Sequence, residues 1–164
     1  MTRFLLGFAL LLLGLTFLAS YDPVYDTMIE PWNGWLAAAS FWLIQWFDAA
    51  VALSGNVIYP LQSGGAGGVA VESECNGVEA IIILVAAILA FPGPLWAKAV
   101  GVLTGAALVQ GLNLLRIISL FYLLQWNRDW FEWFHMYLWP TLIILDALVV
   151  FFLWTRLVNG REQG

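Results

Sequence analysis

Residues 71–92, VESECNGVEAIIILVAAILAFP, decide how the rest of the chain is read. They place the protein's one cysteine, Cys75, at the mouth of an apolar run over 78–91 that stops at Pro92. Working outward, comparable runs cover 4–20, 97–124 and 138–157, and these three approach or exceed the ~20 residues that a membrane-spanning helix needs. The run after Cys75 is shorter. The chain is 62% hydrophobic and 10% charged, with a mean hydropathy of +0.86, too apolar for a water-soluble domain of 164 residues. The expectation is an all-α, polytopic integral membrane helical bundle of about four transmembrane helices. Residues 1–164 read as a single membrane-embedded domain.

Arg3 and the first run fit the front of a signal peptide. In TFLASYDP, however, Phe17 occupies the position where a small residue is needed for cleavage after Ala19, so the run reads as a retained helix. Lys and Arg favour cytoplasmic loops. Placing Arg3, Lys98, Arg156 and Arg161 inside puts Tyr21 outside, 92–98 inside, Trp126 outside and the C-terminus inside, with Arg128 as the exception. Residues 31–60 then begin and end on the outer side. WNGWLAAASFWLIQWFDAAVAL is apolar enough to pass for a span, but a crossing would move Lys98 and both C-terminal arginines outside. Trp32, Trp35, Trp42 and Trp46 suit the headgroup level, and Gln45 and Asp48 give a wet side, so 31–60 is expected as an interfacial or re-entrant helix on the outer side. SGGAGG at 63–68 reads as a flexible connector that brings the chain back toward the membrane before Cys75.

Height connects distant residues. At ~1.5 Å per helical residue above the turn at Pro94, Cys75 stands about 28 Å up and Arg116 about 33 Å; His135, counted back from Arg156, stands about 31 Å up. The sole cysteine, an arginine inside an apolar helix and the sole histidine therefore share a level near the outer edge of a ~30 Å core. That level holds whether His135 belongs to the last helix or, with Pro140 starting that helix, to the loop before it.

Each residue has a plain reading beside its chemical one. A lone membrane cysteine is most often an inert small hydrophobe. In CNGVE, though, Asn76 reads as a helix N-cap and Glu79 as its capping-box partner, with Gly77 between them. Cys75 would then sit at the positive end of a helix, where thiolate is favoured. His135, in WFEWFHMYLWP, is alone an ordinary interfacial side chain, yet with a cysteine at its height it is a candidate base. Arg116, in LNLLRIISLFYL, is costly in a membrane unless paired and marks function by default; Asn113 shares its helical face, placed to orient it or contact substrate. Asp146 reads as a structural residue near the midplane, protonated or bonded to Gln110, and Ala97, Gly101 and Gly105 as a helix-packing face. Glu72, Glu74, Asp129 and Glu132 form a solvated rim able to attract a basic partner. No cofactor is expected: one cysteine and one histidine cannot complete a zinc site. Neither a phosphate-binding glycine loop nor a nucleic-acid footprint appears in this acidic chain.

Two other classes compete. A non-catalytic membrane subunit that binds partners through its aromatic rim predicts no effect of Cys75→Ala. A small transporter using Asp146 and Arg116 predicts coupled transport and damage from Asp146→Asn. Neither accounts for the shared height of the only cysteine and the only histidine.

CNG opening a membrane helix, NLLR within the next, and a histidine before the last, in that order, resemble the exosortase/archaeosortase family, and most of all its exosortase H branch. The resemblance rests on about 75–154 as the catalytic core, in a chain shorter than many members; where members often carry Ser or Ala after the cysteine, Asn76 stands here. It implies a bacterial integral-membrane cysteine transpeptidase or peptidase with Cys75, Arg116 and His135 as catalytic residues and Asn113, Asn76, Gly77 and Glu79 in supporting or substrate-binding places. It implies a multi-pass protein of the inner membrane whose active site faces the periplasm. Its partners would be secreted proteins bearing a C-terminal sorting signal (a motif, a transmembrane helix and a basic tail) and an acceptor nucleophile.

Overall fold

In the computed structural model, which describes residues 2–61 and 67–162, helices dominate. They are α1 (Thr2–Ala19), α2 (Glu30–Gln45), α3 (Val78–Ala90), α4 (Leu95–Trp126), α5 (Arg128–Trp133) and α6 (Trp139–Glu162). A short turn at Asp22–Val24 and a π-helical turn at Tyr25–Ile29 lead into α2; a second π-helical turn, Phe134–Leu138, joins α5 to α6 in one uninterrupted helical path. Three stretches are long and apolar enough to cross a membrane: α1, α4 and the path from Arg128 to Val158. The chain is a multi-pass, all-α membrane protein. Helix α3 has 13 residues, or about 20 Å, well short of a ~30 Å hydrocarbon core.

One stripe of α4 organises the bundle. Ala97, Gly101, Gly105, Val109, Asn113 and Arg116 repeat at helical spacing and are all buried. At its lower end the stripe is made of small residues so that neighbouring helices approach closely. Trp154 of α6 lies over Gly101, and its indole N–H donates to the Ala97 carbonyl at 2.8 Å. A Cβ added at Gly105 would stand 2.5 Å from Leu84 Cδ2 and 3.0 Å from Val150 Cγ1, so any side chain there collides with α3 and α6. Leu84, Ile88, Val109, Ile143, Ala147 and Val150 form the core between these helices, held by close van der Waals packing because lipid tails are as apolar as these side chains. Helix α1 leans on α3, with Gly7 against Ala90 and the ring of Phe4 meeting Phe91 at 6.2 Å and Phe151 at 6.5 Å.

Cys75 lies at the opposite end, where the fold departs from expectation. Residues 31–60 are not one helix. Helix α2 ends at Gln45, and the chain then forms a hairpin of β1 (Val51–Ser54) and β2 (Val57–Pro60), which β3 (Val69–Ala70) extends antiparallel. Gly55, at φ +59°, opens the two-residue turn, the position that a type II′ hairpin reserves for glycine; Val57, Ile58 and Tyr59 then favour strand. Helix α2 is also more than an interfacial element. It buries Asn33, Leu36, Ala37, Ser40 and Ile44, while Trp35, Trp42 and Trp46 remain exposed. Leu36, Ile44, Val51, Ile58, Val69, Ile117 and Phe121 make a second core that seats α2 and the sheet on upper α4. Most of the 63–68 connector lies outside the described residues. Gly68 is described, and it is pressed so close to β2 that a Cβ would come 2.6 Å from Val57 Cγ1. From there β3 delivers the chain to a 3-10 turn, Ser73–Cys75, immediately before α3.

Candidate active site

The thiol sits where three elements meet. The turn at 73–75 carries Cys75, α4 carries Arg116, and the π turn carries His135. Arg116 Nη2 donates to Cys75 Sγ at 3.5 Å, and His135 Nδ1 lies 3.8 Å from the same sulfur. Cys75 is 7% exposed and Arg116 4%. Counted along its helix Arg116 starts higher than Cys75, but helical side chains lean toward the N-terminus, which brings its guanidinium down to the sulfur. A cavity of about 190 Å³ opens on Cys75 and His135, bordered by Glu72, Glu74, Leu120 and Phe131.

Pro140 explains the position of His135. Proline has no N–H for the carbonyl four residues back, at Met136, and the helix widens ahead of it: the Trp139 N–H reaches the Phe134 carbonyl, five residues away. The path therefore neither breaks nor leaves His135 in a loop. The imidazole is held flat against Phe131, one turn earlier, with ring centroids 5.6 Å apart and planes 3° from parallel.

The cysteine turn has its own scaffold, which corrects the expected capping box. Gly77, at φ +72°, is the N-cap of α3, a conformation that glycine adopts without strain. Asn76 caps from one residue earlier, its Oδ1 accepting from the Val78 N–H at 2.9 Å. Its amide donates to Asn33 Oδ1 at 2.9 Å, and its carbonyl accepts from Gln110 Nε2 at 2.9 Å. Asn113 donates to Gln110 Oε1 at 3.3 Å. Gln110 therefore directs its amide donor to the Cys75 turn instead of to Asp146, whose Oδ2 has no hydrogen-bond partner. Tyr25 and Ser73 share a hydroxyl hydrogen bond at 2.9 Å, tying the same turn to the segment before α2. Glu79 takes no part in this network. It is exposed in the first turn of α3.

Asn33, Gln110 and Phe131 thus join the site from positions that its chemistry did not announce. Asn33 is 4% exposed, a polar residue in the buried stripe Asn33, Ala37, Ser40, Ile44, and that periodicity is the signal by which it was findable.

The electrostatics also differ from a poised thiolate. Cys75 precedes the first residue of α3 and is buried, and burial pushes the thiol pKa above its ordinary value. Arg116 pulls it down less strongly, while Glu74 and Glu72 add to the rise. The resting group is a neutral thiol beside a proton acceptor and a fixed cation. Two polar atoms remain spare: Arg116 Nε and Asn113 Oδ1 are buried without a partner. Such atoms are costly unless a further group engages them.

A sequence model of the transmembrane exosortase family matches residues 2–154 of this chain. No curated protein and no solved structure matches it.

Proposed function

The chain belongs to the transmembrane exosortase family, and on that premise we propose that it is a membrane cysteine transpeptidase or peptidase that cleaves C-terminal sorting signals of secreted proteins at the outer face of the bacterial inner membrane. The observation that carries this reading is the three-way approach of Cys75, Arg116 and His135.

His135 removes the thiol proton as Cys75 Sγ attacks the scissile carbonyl carbon, since the raised thiol pKa makes a base necessary at neutral pH. A C–S bond forms, and the carbonyl electron pair moves onto oxygen. Arg116, held beside the sulfur, stabilises that oxyanion in a water-poor site. When the oxyanion collapses, the C–N bond breaks and the His135 proton passes to the leaving amine. The resulting thioester is opened by an acceptor nucleophile or by water, which restores the thiol. Asn33, Asn76 and Gln110 keep the nucleophile's turn in place throughout.

The test is co-expression with a secreted protein that ends in a motif, a transmembrane helix and a basic tail. Wild type shortens it; Cys75→Ala, Arg116→Ala and His135→Ala at equal membrane abundance do not. Shortening that persists in Cys75→Ala removes the nucleophile and returns the chain to the partner-binding class.

A further inference from the structure

Glu79 is one of the charged residues that this mechanism leaves unused. It stands exposed in the first turn of α3, and the one ion pair among the described residues, Arg128 with Glu132, does not involve it. It lies about 17 Å along α3 from Ala90, at the end of the helix beside the Cys75 turn, and its carboxylate has no ion-pair partner among the described residues.

The surface around it is shaped. A cavity of about 440 Å³ lies on the α1 side, lined by Thr16, Ser20, Asp22, Asn76 and Ile82; one of about 90 Å³ lies on the α6 side, lined by Glu74, Ile83, Pro140, Ile144 and Arg116. Ser73 and Glu79 border both. Arg116 thus faces the smaller cavity while touching the Cys75 sulfur.

We infer that this face of α3 receives the first turns of the substrate's transmembrane helix, with Glu79 accepting that helix's unpaired N–H groups. The inference rests on the proposed cleavage of sorting signals. In such a substrate the membrane helix begins just beyond the scissile segment, so its N-terminus arrives at the level of the Cys75 turn. The first four N–H groups of any helix lack internal partners and carry partial positive charge, the complement of a carboxylate. Apolar Ile82 and Ile83 receive the helix body, and the two unequal cavities receive side chains from its first turn, a larger one toward α1 and a small one toward α6. The chain preceding that helix then passes Ser73 and Arg116 to reach the thiol.

The probe is a secreted reporter whose C-terminal signal is removed in cells carrying the wild-type chain. Glu79→Gln and Glu79→Lys are expected to raise KM by about three- to thirty-fold with kcat nearly unchanged, the signature of lost ground-state binding, and Glu79→Asp to recover part of the loss. A photo-crosslinking residue at Ile82 or Ile83 in the Cys75→Ala protein is expected to capture the first turns of the reporter's helix. The same residue at Leu103 or Leu108, exposed on α4, is expected to capture none. An unchanged KM for Glu79→Lys, or equal capture from Leu108, overturns the docking face and leaves the enzymatic reading standing. Signal removal that survives Cys75→Ala overturns the enzymatic reading, and the docking face with it.

Discussion

The two halves of the α4 stripe follow the same spacing and do opposite things. Below Val109, Ala97, Gly101 and Gly105 lie flush against Trp154, Leu84 and Val150, and the buried indole N–H has its acceptor. Above it, Asn113 and Arg116 are as deeply buried, yet each keeps an atom with nothing to bond. The lower half is closed by packing; the upper half keeps polar atoms uncommitted beside the thiol. Leaving the Arg116 Nε buried without a partner costs stability, and close packing such as that around Gly101 and Gly105 is what a bundle has to offset it.

The largest expected break in that comparison comes from the upper half. Arg116→Ala should lower the cleavage rate by about 10²–10³-fold, the usual cost of losing one oxyanion donor, while the amount of folded protein in the membrane stays level. Quantifying reporter cleavage against enzyme abundance checks it. Arg116→Lys should rescue only part, because an ammonium on a flexible stem cannot hold the guanidinium's orientation.

The lower half should break in the reverse sense. Gly105→Leu forces a side chain into Leu84 and Val150 and should destabilise the bundle by about 1–3 kcal/mol. Thermal unfolding in detergent reads this loss, and the cleavage rate per folded molecule should hold near wild type. A rate that fell with stability unchanged would mean that the two halves are not separable.

Asn33→Ala probes the boundary between scaffold and chemistry. It leaves the Asn76 amide buried without an acceptor, at about 1–3 kcal/mol, and loosens the cysteine turn. The expected signature is a lower kcat with little change in KM, together with faster alkylation of Cys75 by a small reagent.

The smallest effect is on proton affinity. A raised pKa means that the thiolate fraction is small at neutral pH and grows with pH, so iodoacetamide labelling of Cys75 should climb to a midpoint above that of a free thiol. Arg116→Gln should move the midpoint further up, since its charge favours thiolate, and Glu74→Gln should move it down.

Much of this was legible in the sequence, and the reasons differ by region. Long apolar runs specify membrane helices almost by themselves, because the bilayer leaves the backbone few alternatives. Rise per residue then placed Cys75, Arg116 and His135 at one level, although only the structure shows that they touch. The hairpin at 51–60 was hidden because VALS and VIYP are apolar strands beside an apolar helix, where composition does not separate strand from helix; Gly55-Asn56 was the available clue. The Asn33–Asn76 bond joins residues 43 apart in sequence, and no local pattern encodes such a partnership. The capping box failed for a local reason: Gly77 could take the left-handed cap, and doing so shifted the start of α3 by one residue.

The π turn before Pro140 has a consequence for how the family can vary. Such a turn is, in effect, one extra residue inside a helix, and each residue advances the helical phase by about 100°. Deleting Met136 would leave Ile143, Ala147 and Val150 packed as they are and swing His135 roughly a quarter-turn around the axis, away from the sulfur. The angular setting of the histidine and the packing face of α6 are therefore adjusted separately, and single-residue insertions and deletions between Phe134 and Pro140 are the changes that would reset one without disturbing the other.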